Sequence, residues 1–396
     1  MDILEIRGGI NLKGKISASG AKNAALPIMC AALLSDETVE LSNLPDVIDI
    51  VSMGGLLICL GCEITHKNQN SVLITAKNLK ATKAPYRLVR KMRASILAFG
   101  PLLAREKIAQ VSLPGGCAIG ARPIDLHAQA MRDLGADTQM ENGYLVARAP
   151  KNGLVGGRIT FSSVSVGASE NAIMAACLAR GETVIENVAC EPEIMDLVAC
   201  LKSMGAIIEG EGTRTIHIQG QSRLHSAKHS VIADRIEVGS YLMAVAATQG
   251  QIVIDRCNPE HLTIVLDILQ RAGCSITTTD HTITLKVEQP LLAQSIATEV
   301  YPGYPTDLQA QFMALMTQAR GISLVHESIF ENRFMHVPEL IRFGSDITID
   351  RRTAIIKGPT KLQAAPVMAT DLRASMSLVI AALACQGCTQ IRRIYH

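Results

Sequence analysis

The stretch Leu60-Gly61-Cys62-Glu63-Ile64-Thr65 returns four times along the chain. Its copies are Leu134-Gly135-Ala136-Asp137-Thr138, Met204-Gly205-Ala206-Ile207-Ile208, Ala272-Gly273-Cys274-Ser275-Ile276-Thr277 and Phe343-Gly344-Ser345-Asp346-Ile347-Thr348. A fixed spacing, here about seventy residues, marks repeated supersecondary units. A proline precedes each glycine: Pro45, Pro123, Pro192, Pro259 and Pro338. Proline at a helix start and glycine just past its end is the polarity of an α-helix. The residues after each glycine alternate in polarity, as over 62–76 and 274–287, which predicts a strand pair.

A second helix recurs in the same register, over 21–34, 92–106, 166–181, 237–250, 306–321 and 370–387. It is rich in Ala, Leu, Met and Ile on nearly every side, so it should be buried. Four copies end at Gly181, Gly250, Gly321 and Gly387, and a strand-like run follows each helix. The unit is therefore one buried helix, one more exposed helix and several strands, an α/β fold. The chain holds six buried helices and five exposed ones. A sixth exposed helix would have to follow Tyr395-His396, so the last unit is expected to be incomplete. The N-terminal strands around 3–9 and 12–18 can complete a later unit by wrapping round. Six units suggest two domains of three. The polar stretch over 219–235 is the natural crossing between them. The expected domains are 20–231, and 1–19 together with 232–396.

Composition agrees with a large soluble protein. The 396 residues exceed one ordinary core. Hydrophobic residues are 48% of the chain, yet no run reaches the length of a membrane span. The first residues do not form a signal peptide. The net charge of +2 and an aromatic content of 3% give no footprint for nucleic acid. Eleven irregularly spaced cysteines suggest reduced thiols and a cytoplasmic location.

Comparing the copies separates packing from chemistry. The position after the repeat glycine holds Cys62, Ala136, Ala206, Cys274 or Ser345, so any small residue serves there. Cys62 and Cys274 therefore read as packing residues. Cys30 and Cys177, among alanines, read the same way. The pairs Cys59/Cys62 and Cys385/Cys388 have a metal-like spacing but no further ligand cluster, so no metal is expected. Cys117 is different. Unit one joins strand to proline through Ser42–Asp46 alone, whereas unit two inserts the glycine-rich run 113–123 around Cys117 and Arg122. Insertions on a regular scaffold are where function concentrates. Unit five has a second insertion, 326–339, with Glu331, Arg333 and His336; Arg333 reads as a ligand contact.

Charges are also misplaced for a buried helix. The first turns carry Lys22, Asn23, Arg93, Ser165 to Ser169, Glu237, Asp307, Asp371 and Arg373. Helix starts offer free N–H donors and partial positive charge, a ready site for phosphate or carboxylate. Lysine and arginine oppose the local dipole there, so anion binding supplies their reason. Asp307 and Asp371 read either as N-caps or as members of that site.

These residues carry a resemblance. The stretches 19–27, 92–96, 114–127, 304–312, 330–340 and 369–375 closely resemble the bacterial UDP-N-acetylglucosamine 1-carboxyvinyltransferases, and the resemblance spans essentially the whole chain. It implies a two-domain inside-out α/β barrel, each domain built from three repeats. It implies transfer of the enolpyruvyl group of phosphoenolpyruvate to the 3-hydroxyl of UDP-N-acetylglucosamine with release of phosphate, the first committed step of peptidoglycan precursor synthesis. No cofactor is implied. By motif, Lys22 and Asn23 would contact phosphoenolpyruvate, and Arg122 its phosphate and the sugar nucleotide. Arg333 and Arg373 would hold the enolpyruvyl carboxylate. Arg93, Pro123, Ile124, Asp125, Leu126, Ser165, Val166, Gly167, Asp307 and Ile329 would line the UDP-N-acetylglucosamine site, and Asp371 would join the substrate-binding set. Cys117 would be the catalytic cysteine that fosfomycin alkylates.

The chemistry is addition followed by elimination, which needs an acid at the methylene carbon and a base at the sugar hydroxyl. A thiol at Cys117 suits the first and Asp307 the second, with Glu191 and Asp371 as further candidates for proton handling. The family continues past Tyr-His into a further helix with a phosphate-binding arginine, so weakened phosphate binding and an open sixth unit are expected here. Ser163 stands where some relatives place a lysine near the nucleotide. The sister shikimate-pathway enolpyruvyl transferase lacks the cysteine insertion, which decides against it. An inactive paralogue that binds UDP-N-acetylglucosamine is the remaining alternative.

Overall fold

The structure is a computed structural model and describes residues 2–90, 92–112 and 124–394. Cys117, Arg122 and Pro123 lie outside the described residues. Among the described residues, eleven α-helices of six residues or more carry the repeat. They are α1 (Lys22–Ala31), α2 (Ile48–Leu60), α3 (Phe99–Glu106), α4 (Asp125–Asp133), α5 (Val166–Ala176), α6 (Pro192–Ser203), α7 (Arg235–Ala247), α8 (Thr263–Arg271), α9 (Gln309–Met316), α10 (Val337–Arg342) and α11 (Ala374–Ala384). The odd-numbered helices are the inner layer. Every residue of α1 from Ala24 to Ala31 and every residue of α9 is buried. The even-numbered helices cover them. In α2 only Met53, Leu56, Leu57 and Leu60 are buried, one stripe at helical spacing.

The repeat glycines end the outer layer as their position predicts. Gly61, Gly135, Gly205, Gly273 and Gly344 all have φ between 85° and 111°, the left-handed conformation that closes a helix at least cost in glycine. Gly181, Gly321 and Gly387 also have positive φ, but they lie past the inner helices, which end at Ala176, Met316 and Ala384, and they lead into the following strands. Gly250 does not: Gln249 takes the positive φ, of 51°. Gly250 is glycine for space, because a Cβ there would lie 2.0 Å from the Leu12 carbonyl oxygen. Pro45 also departs from the pattern. It stands outside α2, whose N-cap is Val47. Pro192, in contrast, opens α6 at its first turn.

The six sheets share one plan. The strand after each inner helix pairs in parallel on one side with a short strand and antiparallel on the other. Thr38–Ser42, for example, runs parallel to Ala227–Ser230 and antiparallel to Ser71–Thr75, with Leu41 opposite Val72. The N-terminal strands enter two of these sheets. Ile3–Gly8 pairs antiparallel with Gly387–Arg392, and Lys13–Ser17 pairs in parallel with Gln251–Asp255. Five sheets have four strands and the sheet of Gly387–Arg392 has three, among the described residues.

The chain divides into two compact units, with crossings between Ala18 and Ser19 and between Ile232 and Ala233. Each has its own apolar core. In the unit holding α1 to α6, residues at the ends of α1, α3 and α5 line one cavity of about 580 Å³, Leu34, Ala104 and Leu178 among them. The three inner helices therefore run in one sense, and their first turns gather at the opposite end. In the unit holding α7 to α11 the starts of α7 and α9 meet. A Cβ on Gly239 would press the Leu308 methyls, and Gln311 Nε2 donates to Ser240 Oγ at 3.1 Å. Cysteines fill small gaps in both cores. Burial pushes the Cys62, Cys177 and Cys274 thiols up to about 12. No described helix is long and apolar enough to cross a membrane.

Two glycine substitutions separate the two reasons for glycine. At Gly344, φ is +90° and the space is open, so Gly344→Ala should cost about 1–2 kcal/mol, the left-handed penalty alone. Gly250→Ala should cost clearly more, because backbone must move. Chemical denaturation of both variants measures the difference.

Candidate active site

Asp307 sits in the single turn Thr306–Leu308 that opens α9. It does not cap the helix. Its carboxylate faces two guanidinium groups instead: Arg333 Nη2 lies 2.9 Å from Oδ1 and Arg373 Nε 3.3 Å from Oδ2. The Arg333 side chain is 3% exposed, Arg373 19% and Asp307 25%. Two guanidinium groups thus converge on one carboxylate at a half-buried helix start. Planar guanidinium groups are suited to carboxylate or phosphate.

Asp371 does what the capping reading predicts. Its Oδ1 accepts from the backbone N–H groups of Arg373 and Ala374, both at 2.9 Å, and so fixes the start of α11 that carries Arg373. His336, fully buried beside α10, lies close enough to Arg333 and Asp371 to feel both charges. Burial lowers its pKa to about 4, Asp371 opposes that shift and Arg333 adds to it.

Glu327 organises this corner, and sequence reading missed it. Its carboxylate is 1% exposed. Oε1 accepts from Thr298 Oγ1 and from the backbone N–H groups of Ile329 and Phe330, and Oε2 accepts from Thr306 Oγ1. It ties the start of the second insertion, with Ile329, to the turn that holds Asp307. The Phe330 ring lies under the Arg333 guanidinium at 5.4 Å. The sequence signal was available: an acidic residue where an apolar strand meets an insertion, with Thr298 and Thr306 before it in the chain.

The other unit holds a second polar group of helix starts. Lys22 is the first residue of α1, where a cation opposes the dipole, and its Nζ lies 3.0 Å from Asp49 Oδ2 in the first turn of α2. Asn23 and Arg93 are half-buried in the opening turns of α1 and of the 3-10 turn Arg93–Ala98. Ser165 caps α5 by accepting from Ala168 N at 3.4 Å, and Val166 and Gly167 form its first turn. Ile124, Asp125 and Leu126 form the start of α4, with Asp125 exposed. Lys22, Asn23, Arg93, Ile124 to Leu126 and Ser165 to Gly167 thus all lie at helix starts of one unit. Asp307, Ile329, Arg333, Asp371 and Arg373 lie together in the other.

Glu191 is the N-cap residue of α6 and is 9% exposed. It lies near Glu170 and Glu193, both buried. Burial, then Glu193 and Glu191, push the Glu170 carboxyl well above its ordinary value. Among the described residues no group of three His, Cys, Asp or Glu side chains could hold a metal.

Two measurements test this arrangement. Glu327→Ala leaves two hydroxyls and two N–H groups without their acceptor and should cost about 3 kcal/mol or more in denaturant unfolding. Glu170 has a raised folded-state pKa, so the native state keeps its proton after the unfolded chain has lost it. Its contribution is complete at low pH and declines as pH rises above the ordinary carboxyl value of 4.5. Glu170→Gln should flatten that decline, read as melting temperature from about pH 5 to 8.

The family model for EPSP synthase (3-phosphoshikimate 1-carboxyvinyltransferase) matches residues 6–396. Two solved structures share the fold. The enolpyruvyl transferase NikO from Streptomyces tendae superposes with a TM-score of 0.87 at 23% identity, covering 100% of this chain and 93% of the other. An EPSP synthase from Acinetobacter baumannii gives 0.75 at 18% identity, covering 99% and 94%. Sequence relatives are much nearer. Proteins named UDP-N-acetylglucosamine 1-carboxyvinyltransferase from Zymomonas mobilis and Maricaulis maris are each 52% identical, over 100% of this chain and 94% of theirs. With the whole repeat matched and identity at this level from end to end, the chain belongs to the enolpyruvyl transferases, in the UDP-N-acetylglucosamine 1-carboxyvinyltransferase family.

Proposed function

We infer that this protein transfers the enolpyruvyl group of phosphoenolpyruvate to the 3-hydroxyl of UDP-N-acetylglucosamine and releases phosphate, the entry to peptidoglycan precursor synthesis. The observation that carries this reading is the 52% identity, over the full chain, to relatives bearing that name. The Asp307–Arg333–Arg373 cluster supports it chemically.

The reaction begins with a proton delivered to the methylene carbon of the enol while the sugar oxygen bonds to the neighbouring carbon. The hydroxyl proton leaves to a base. Phosphate then departs as a proton is withdrawn from the new methyl group, which restores the double bond. The proposed roles follow the charges. Arg333 and Arg373 hold the enolpyruvyl carboxylate. An incoming carboxylate takes over their hydrogen bonds and frees Asp307, which then accepts the sugar hydroxyl proton. Lys22 and Asn23, with Arg122, bind the phosphate end. Arg93, Pro123, Ile124, Asp125, Leu126, Ser165, Val166, Gly167 and Ile329 line the nucleotide-sugar site. Cys117 is the proposed acid and the proposed point of fosfomycin alkylation. Asp371 supports the site by holding the backbone of Arg373. The proposed compartment is the cytoplasm, which suits ten free thiols among the described residues.

Phosphate release from phosphoenolpyruvate decides the matter. It should require UDP-N-acetylglucosamine and not occur with shikimate 3-phosphate; the reverse dependence would assign the chain to the sister reaction. Binding of UDP-N-acetylglucosamine with no turnover would instead identify an inactive paralogue. Asp307→Asn and Cys117→Ser should each lower kcat by about 10²-fold or more. Undiminished turnover in either removes that residue's proposed role.

A further inference from the structure

Asn171, near the middle of α5, is fully buried, and every hydrogen-bonding atom of its amide is committed. Oδ1 accepts from the backbone N–H of Gly100 at 2.7 Å, on α3. Nδ2 donates to the Ile96 carbonyl at 3.0 Å, in the turn before α3. Its second hydrogen has one partner, His127 Nδ1 at 2.9 Å, on α4. Both backbone partners have fixed roles, so the amide cannot be flipped. His127 Nδ1 must accept, which makes the imidazole neutral with its proton on Nε2. Burial acts in the same direction and lowers the His127 pKa to about 4. Contact is close throughout. A Cβ on Gly100 would lie 2.5 Å from the Asn171 carbonyl oxygen, and one on Gly167 would lie 3.3 Å from His127 Cε1.

The ring therefore spans one turn of α5, from Asn171 back to Gly167 near its start. Its own residue follows directly on Ile124-Asp125-Leu126. We propose that neutral His127, oriented by Asn171, is a positioning residue that sets the spacing between the start of α4 and the start of α5. It thereby holds residues 124–126 and 165–167 in register for UDP-N-acetylglucosamine. This rests on the reading of those two stretches as nucleotide-sugar contacts. His127 acts through them and touches no reacting atom. An acceptor at the Nδ1 position is essential, because without it an Asn171 N–H is stranded in the core.

The test is UDP-N-acetylglucosamine affinity by calorimetry and steady-state KM for both substrates, in the full chain. His127→Phe keeps a ring but loses the acceptor. It should weaken UDP-N-acetylglucosamine binding about tenfold or more and change KM for phosphoenolpyruvate less than about threefold. His127→Asn places an amide oxygen near the Nδ1 position and should restore binding. His127→Gln places its amide farther out, near Nε2, and should not. If His127→Phe fails to fold, the Asn and Gln variants still decide. Equal binding by wild type and a folded His127→Phe overturns the inference, as does a His127→Asn protein that is folded yet no better than His127→Gln. A wild-type protein with no affinity for UDP-N-acetylglucosamine instead overturns the functional reading beneath it.

Discussion

A helix buried on its flanks still has four N–H groups at its start that need partners. In this protein side chains meet it at several inner helices, Asp234 for α7 among them. Most of the length of each inner helix is apolar, and polar residues gather in or just before the first turns. The polar ends do not scatter, because the inner helices of a unit run in one sense. Polar residues at helix starts are thereby collected at one end of each unit, and that collection is the material of the proposed site. Ser165 and Asp371 show the plain form of the solution, each accepting from backbone N–H groups.

Cations at these ends are the costly part. Lys22 stands against the dipole of α1, and Arg333 is nearly inaccessible to water. Each is balanced inside its own unit, Lys22 by Asp49 and the two arginines by Asp307. Asp307 faces both guanidinium groups, and Asp371 and Glu327 bring two further carboxylates to the same corner. Half-buried ion pairs are poorly screened by salt, and a guanidinium group can exchange one carboxylate partner for another. Glu327 adds rigidity, because its oxygens accept from two hydroxyls and two N–H groups.

Close backbone approach is the second theme. Gly250 admits the Leu12 carbonyl, Gly239 admits Leu308, and Gly100 admits Asn171. The last of these lets one amide serve three elements at once. A side chain with so many fixed partners has a single orientation, and it passes that certainty to His127. Precision at the start of α4 thus comes from the interior, not from the surface.

Much of this was legible in the chain itself. The seventy-residue repeat, the buried and exposed helices, the glycines that end them and the misplaced charges at helix starts are local matters of period, volume and dipole, and a sequence displays those directly. The family likeness was legible for the same reason, in short motifs. Gly250 and Pro45 were misjudged by position alone, since a glycine kept for space looks like a glycine kept for φ. Asn171, His127 and Glu327 were not singled out, because each acts through partners 21 to 75 residues away or through backbone atoms that carry no sequence signature. Whether Asp307 or Asp371 capped its helix was likewise undecidable from Pro-Thr-Asp and Ala-Thr-Asp. Only the folded chain brings Arg333 and Arg373 to one of the two aspartates and leaves the other to the backbone.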